Sequence, residues 1–402
     1  MTQPSDRLTL LSVEEARARM ITAIARLETL SVPLDQADGA TLAEDIIAIR
    51  DQPPFEGSAM DGWAVRQADA SEGAVLTIAG ESAAGRGYDA ILQPGEAVRI
   101  FTGAAVPAGA DKVIIQENAE RQGGAVRLTE APGPKSHIRK AGGDFAAGQL
   151  LLASGLRLDP WRLSLAAAAG RAQVKVSRRP RIALLATGEE LVAPGGSPGP
   201  FQIFESGSAG LSAMIARWGG EAMRLAPAQD TKEAILAALG AVQADLIVTV
   251  GGASVGDYDL VKPALGQLGL EIAVGSVNVR PGKPTWFGVL GDGRRVLGLP
   301  GNPASAFVCA ELFLRPLIAA MQGGAAGPFM EPAILAGPLE ANGSREHWMR
   351  AVLSADGVTA LPDQDSSLVT VFAEAGALLR RRANAPALAA GEVVEVLRLS
   401  RG

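Results

Sequence analysis

Between residue 181 and about residue 322 the chain alternates short apolar runs with segments of helical period, and no other feature constrains the fold as much. RIALLA (181–186), EAMRLA (221–226), ADLIVTV (244–250), TWFGVL (285–290) and RVLGL (295–299) are brief and largely apolar, the pattern of strands buried on both faces. GLSAMIARW (210–218), TKEAILAALGAV (231–242) and NPASAFVCAELFLRPLIAAM (302–321) have the length and spacing of helices. Strands alternating with helices imply an open α/β sheet with a largely parallel core.

The flanking stretches read differently. Ser12 and Glu15 form a capping box that opens a helix over roughly 13–29. Strand character follows over about 75–129 in VLTIAGES, AVRIFTGAAV, KVIIQENAE and AVRLTEA, with Gly123–Gly124 as a turn. Asp159 and Pro160 mark the start of a helix through WRLSLAAAAG, and QVKV leads into SRRPR (177–181), a candidate boundary. After Gly323–Gly324 the chain returns to short strands, with Asp356–Gly357 as a hairpin turn and EVVEVLRL near the end: a small β domain of barrel-like type. A length of 402 residues suits roughly two to four domains.

Composition excludes several functions. A net charge of -6 provides no general basic field for nucleic acid, so an anionic ligand needs local cations, backbone N–H groups or a metal. One cysteine, Cys309, and two histidines leave too few ligands for an ordinary zinc site, and Cys309 reads as a core thiol. The 302–321 helix carries Glu311, Arg315 and Pro316, so it is not expected to span a membrane. The opening residues have no apolar signal core, and a cytoplasmic location is expected.

Chemistry concentrates after the strands of the α/β segment. RIALLA runs into Thr187–Gly188–Glu189–Glu190, EAMRLA into Gln229–Asp230, ADLIVTV into Gly251–Gly252, and RVLGL into Pro300–Gly301–Asn302–Pro303. Ligands of open α/β sheets bind outside the carboxyl ends of the strands, so these loops should meet at one edge. Glycine turns expose N–H groups to phosphate, Arg280 and Lys283 in VRPGKP add positive charge, and Glu190, Asp230, Asp257 and Asp259 suit a magnesium ion. The mixture fits a phosphorylated or nucleotide-bearing substrate. PGKPT lacks the earlier glycine of a P-loop and has Pro284 in place of Ser or Thr. Gly252–Ala253–Ser254–Val255–Gly256 copies a hydrolase elbow, but the only later histidine, His347, lies outside the segment and reads as a strand residue at an interface.

With these residues assembled, the chain resembles the molybdopterin molybdenumtransferases, which include the corresponding domain of gephyrin, from about residue 8 onward. FEGSAMDGWAV (55–65), RIFTGAAVPAGADKVIIQE (99–117), IRKAGGDFAAG (138–148), TGEEL (187–191), GGASVGDYD (251–259), RPGKP (280–284) and LPGNPASA (299–306) carry the resemblance. It implies four domains: an elongated discontinuous one (1–50 and 145–178), a β-rich insert (51–144), the molybdopterin-binding α/β domain (179–327) and the C-terminal β domain (328–402). It also implies a homodimer whose cleft takes Asp61, Thr102 and Asp144 from one subunit and Glu190, Asp230, Asp259, Arg280 and Lys283 from the α/β domain of the other. Thr187, Gly188, Gly251, Gly252, Ser254 and Pro300–Pro303 would bind substrate, Arg350 and Ser366 match oxyanion positions, and Glu190, Asp230 and Asp259 would hold magnesium.

The reaction so implied consumes adenylylated molybdopterin and molybdate and gives molybdenum cofactor and AMP. Protein partners would be the adenylyltransferase of the preceding step and the molybdoenzymes downstream. Departures from the family pattern fall at Glu205–Ser206–Gly207 for Asp-Ser-Asn, Ser276 for lysine, Asp230–Thr231 for Asp-Asp, and Gln364–Asp365–Ser366 for Gln-Gly-Ser. Two other activities compete: the preceding adenylylation itself, which the stretches flanking the α/β segment argue against, and a non-catalytic carrier or scaffold for finished cofactor.

Overall fold

The computed structural model describes residues 10–252, 260–327 and 330–399. The chain divides into two compact units, one from the described residues of 1–44, 154–159 and 173–402 and the other from 45–153 and 160–172.

The second unit is built on a six-stranded sheet ordered Lys112–Ile115, Gly62–Val65, Glu96–Ile100, Val75–Ser82, Ala125–Leu128, Ala119–Gln122. Neighbours are antiparallel except Val75–Ser82 with Glu96–Ile100. Alternate residues feed two separate cores: Trp63, Val65, Ala97 and Ile114 enter one, while Ala64, Val98 and Val113 enter the other. Both faces are therefore covered, which explains why Gly62–Val65 has four buried residues in a row. Gly62 permits the strand to lie close, since a Cβ there would come within 1.8 Å of Ile114 O. Gly123–Gly124 makes the turn expected from sequence, and the unit's helix begins at Pro160 as expected.

The α/β portion of the first unit has the expected parallel core. Its order is Glu221–Arg224, Arg181–Ala186, Leu246–Val250, Arg295–Leu299, Trp286–Val289, Glu271–Val274; the first four strands are parallel, and Trp286–Val289 runs antiparallel to both of its neighbours. Alternation again divides the side chains. Ile182, Leu184, Val248 and Leu297 join a core shared with helices Val13–Thr22 and Gly207–Arg217, whereas Ala183, Leu185, Ile247 and Val296 pack with helices Lys232–Leu239 and Val261–Gly266. The stretch Pro303–Met321, apolar enough by length and composition to suggest a membrane span, is mostly buried inside the protein. It widens to a π-helical turn over Ala310–Leu314, just before Pro316, whose ring crowds the carbonyl four residues back.

The first helix has its Ser12–Glu15 capping box but ends at Thr22 rather than near 29. Leu27 instead donates its N–H to Met321 O at 2.8 Å, and strand Thr29–Pro33 follows, so a tertiary contact overrides helical preference. Glu271–Val274 is a strand that the sequence reading passed over: its apolar run Ile272–Val274 is only three residues long, and it is an edge strand with three of its four residues exposed.

The C-terminal sheet is ordered Val279–Arg280, Glu346–Ser354, Ala377–Arg381, Val393–Arg398, Met330–Ile334, with Gly357–Ala360 also paired to Glu346–Ser354. A bridge between Leu335, just after Met330–Ile334, and Val358 in Gly357–Ala360 closes a small barrel around Ala351, Ala377, Leu379 and Val396. Ser354 pairs with Gly357, so the turn is Ala355–Asp356, one residue earlier than the sequence suggested. Val279–Arg280 pairs with Glu346–His347, so Arg280, expected from the α/β domain, joins the barrel sheet.

Candidate functional site

The loops after the four parallel strands do converge. Thr187 donates its N–H to Val250 O at 3.0 Å and pairs with Ala228, while Gly251 donates to Leu299 O at 3.2 Å. The approach is close enough to require glycine: Gly251 has φ 97°, and a Cβ would meet Thr187 O at 2.6 Å. Added to Gly301, a Cβ would lie 3.3 Å from Gly251 Cα. The Thr187 hydroxyl is buried with no hydrogen-bond partner among the described residues, an available polar group beneath these turns. Pro303 opens the helix after Asn302, and Gly188 and Gly252 complete the turns with positive φ.

On this edge Glu190 is exposed and Asp230 half-buried. Burial holds the Asp230 pKa above its ordinary value, with the negative charges of Glu190 and then Glu189 adding to the rise. Two carboxylates are thus brought together, although no group of three or more His, Cys, Asp or Glu with metal-holding geometry occurs among the described residues. Ser254, Asp257 and Asp259 lie outside the described residues.

Cations gather at the junction of the 279–285 turn and the barrel. Arg280 and Lys283 are exposed on that turn. The turn is pinned from behind: Thr285 Oγ1 donates to Gly282 O at 2.7 Å, and a Cβ on Gly282 would come within 2.1 Å of Cys309 Sγ. Cys309 is fully buried, and burial pushes its thiol up to about 12, so it is the inert core thiol expected. Arg350 is also fully buried. Its Nη2 donates to Asp365 O at 2.9 Å, but Nε and Nη1 have no partner among the described residues. Burial lowers the Arg350 pKa; Asp363 and Asp365 oppose that shift and Arg280 reinforces it. Ser366 accepts from Asn302 Nδ2 at 2.8 Å, and its carbonyl accepts from Ala304 N–H at 3.2 Å, fastening the barrel loop to the Pro300–Pro303 turn.

Sequence reasoning left His347 outside the site, yet it pairs in register with Arg280 on one side and Arg381 on the other. Burial, then the positive charges of Arg280, Arg350, Arg345 and Arg381, take its pKa down to about 4, so it is neutral at pH 7. Its Nε2 has no partner among the described residues. The signal was present only as four arginines spread over positions 280–381, which pattern reading does not group.

In the other unit, Asp61 and Thr102 meet. Asp61 Oδ1 accepts from both the N–H and the hydroxyl of Thr102 at 2.7 Å. These bonds, with a smaller contribution from Arg99, hold its pKa below the usual value. Arg99 was not singled out from sequence; it donates to Gly62 O at 3.1 Å and stacks over Trp63 and Phe101. Asp144 is exposed, and its N–H donates to Gln52 O at 2.9 Å.

The departures have structural roles. Glu205 is buried, accepts from Ser208 N–H at 2.7 Å and lies 3.7 Å from Arg224 Nη2, so it caps the Gly207–Arg217 helix. Thr231 caps the Lys232–Leu239 helix by accepting from Ala234 N–H at 3.1 Å. Ser276 accepts a main-chain bond from Leu11 at 3.4 Å.

An open α/β sheet with glycine turns and carboxylates at its carboxyl edge, joined to a barrel presenting buried and exposed arginines, defines a multidomain protein built to bind an anionic small molecule. Residues 11–170 match the MoeA N-terminal region (domain I and II), 183–320 the probable molybdopterin binding domain, and 332–399 the MoeA C-terminal region (domain IV). The chain belongs to the MoeA family of molybdopterin molybdenumtransferases. It is 36% identical over 320 residues to the molybdopterin molybdenumtransferase of Haemophilus influenzae, covering 78% of each chain. It is 36% identical over 366 residues to molybdopterin molybdenumtransferase 2 of Mycobacterium tuberculosis, covering 87% of this chain and 89% of that one. Two solved structures of the molybdopterin biosynthesis moeA protein from Pyrococcus horikoshii align with TM-scores of 0.82 and 0.83, at 32% and 25% identity. They cover 98% and 97% of this chain and 100% of theirs.

Proposed function

We propose that this protein is a molybdopterin molybdenumtransferase, consuming adenylylated molybdopterin and molybdate to give molybdenum cofactor and AMP. Family membership supports the substrate class. The observation that carries the reading is Arg350: a buried guanidinium beside Arg280 with two nitrogens unpartnered among the described residues, the arrangement an oxyanion would satisfy. Lys283 adds charge from the neighbouring turn, and Ser366, held by Asn302, adds a hydroxyl.

Glu190 and Asp230 fit a magnesium ion, which commonly takes one or two carboxylates and completes its shell with water and substrate phosphate. Bound there, the ion would neutralise charge on the phosphate oxygens between pterin and adenylate. The chain's own groups do the rest. Gly188, Gly251, Gly252 and Gly301 let backbone approach the phosphates, and Arg280 with Lys283 orients them. Asp61, already ionised and committed to Thr102, is suited to accepting a hydrogen bond from water and not to donating a proton. Asp144 is assigned a supporting role on the same unit. A homodimer with a shared cleft rests on the family resemblance; a fully active monomer by light scattering would sink it.

The test is AMP release from adenylylated molybdopterin with magnesium, with and without molybdate. Molybdate-dependent release is the expected result. No release would favour a cofactor carrier, and consumption of ATP with free molybdopterin would move the protein to the preceding adenylylation.

A further inference from the structure

The loop after Arg350 grips it more fully than a passive neighbour would. Gln364 accepts from Arg350 N–H at 2.9 Å through Oε1 and donates back to Arg350 O at 2.9 Å through Nε2. Asp365 O takes the Nη2 hydrogen. The same loop carries two carboxylates in fixed poses. Asp363 Oδ1 accepts from Asp365 N–H at 2.8 Å, and Asp365 Oδ1 accepts from the N–H and hydroxyl of Ser367 at 2.8 and 2.6 Å. The carbonyl of Asp365 lies 2.9 Å from Arg350 Nη2, so the loop bearing both carboxylates adjoins the guanidinium; their charges favour the Arg350 cation and Arg280 opposes it.

We propose that Asp363 and Asp365 set the affinity of the Arg350 subsite for its oxyanion, as resident counter-charges against which the incoming anion competes. This rests on the oxyanion reading of Arg350 given above. A buried guanidinium is costly to keep charged without a counter-charge, and these two carboxylates supply one when no ligand is bound. A tetrahedral dianion arriving at Nε and Nη1 meets their repulsion and binds less tightly than it would to the guanidinium alone. Asp363 and Asp365 are exposed, so solvent screening limits the effect of each to about fivefold at most, the range found for exposed charge pairs.

The experiment is a calorimetric titration of the full chain with molybdate alone, comparing wild type, Asp365→Asn, Asp363→Asn and the double variant. Asparagine keeps the Oδ1 acceptors of both turns and removes only the charge. Asp365→Asn should tighten molybdate binding about two- to fivefold. The double variant should tighten it further. The gain should fade in 1 M salt, where the Debye length is about 3 Å, which a merely structural role would not produce. Unchanged or weaker binding by Asp365→Asn at low salt overturns the proposal. Arg350→Lys separates the two ideas: if it leaves binding intact, the oxyanion reading falls and takes the counter-charges with it. Weakened binding in Arg350→Lys without tightening in Asp365→Asn sinks the counter-charges alone. Absence of molybdate binding in every form counts against both.

Discussion

Asp61 and Asp230 are carboxylates at strand-flanking turns in the two units, and their surroundings act on them in opposite directions. Asp61 receives two hydrogen bonds from Thr102 and the field of Arg99, which stabilise its charge. Asp230 is half-buried beside Glu190 and Glu189, which destabilise its charge. The first site is electrostatically complete as it stands; the second is left needing positive charge. The sign of the linkage follows. The lowered Asp61 pKa gives stability that is present above the unfolded value and is lost as pH falls through the folded one. The raised Asp230 pKa gives a cost present above the folded value and relieved as pH falls through it, or as a cation binds. A shifted carboxylate therefore marks a metal-binding candidate only when its neighbours share its sign.

Three substitutions test this contrast, beginning with the largest effect. Asp230→Asn should reduce molybdate-dependent AMP release by about two orders of magnitude, the scale of losing about 3 kcal/mol of charge stabilisation. Retention of magnesium-dependent turnover in that variant would remove Asp230 from the site. Glu190→Gln should act more mildly, raising the magnesium concentration needed for half-maximal rate and bringing the Asp230 pKa down toward its ordinary value. Carboxyl NMR through a pH series reads that shift, and an unmoved Asp230 would mean the two carboxylates do not interact. Thr102→Val should have the smallest effect. It removes one of two hydrogen bonds to Asp61, so the Asp61 pKa should rise and acid unfolding should begin at slightly higher pH. If Asp61 titrates as before, the Thr102 N–H alone holds it.

The site was legible in proportion to how local its signals are. Each glycine turn adjoins a strand within a few residues, so Thr187–Gly188, Gly251–Gly252 and Pro300–Pro303 could be placed together once the parallel sheet was inferred. The Thr102–Asp61 bond spans 41 positions, and only their separate motifs hinted at it. The place of Arg280 on the barrel sheet was not legible, because a two-residue strand has no periodicity; its pairing with His347 is fixed by the barrel. Burial of Arg350 was equally hidden, since arginine in a strand ordinarily reads as exposed.

Strand-helix alternation, the capping box and the glycine turns were set by the sequence, because they arise from contacts and dihedral limits within a few residues. The length of the first helix, the antiparallel Glu271–Val274 edge, the opposite pKa shifts of Asp61 and Asp230, and the burial of Arg350 were decided by tertiary structure. Those properties depend on which distant groups share a low-dielectric neighbourhood, and burial and charge act through space, not along the chain.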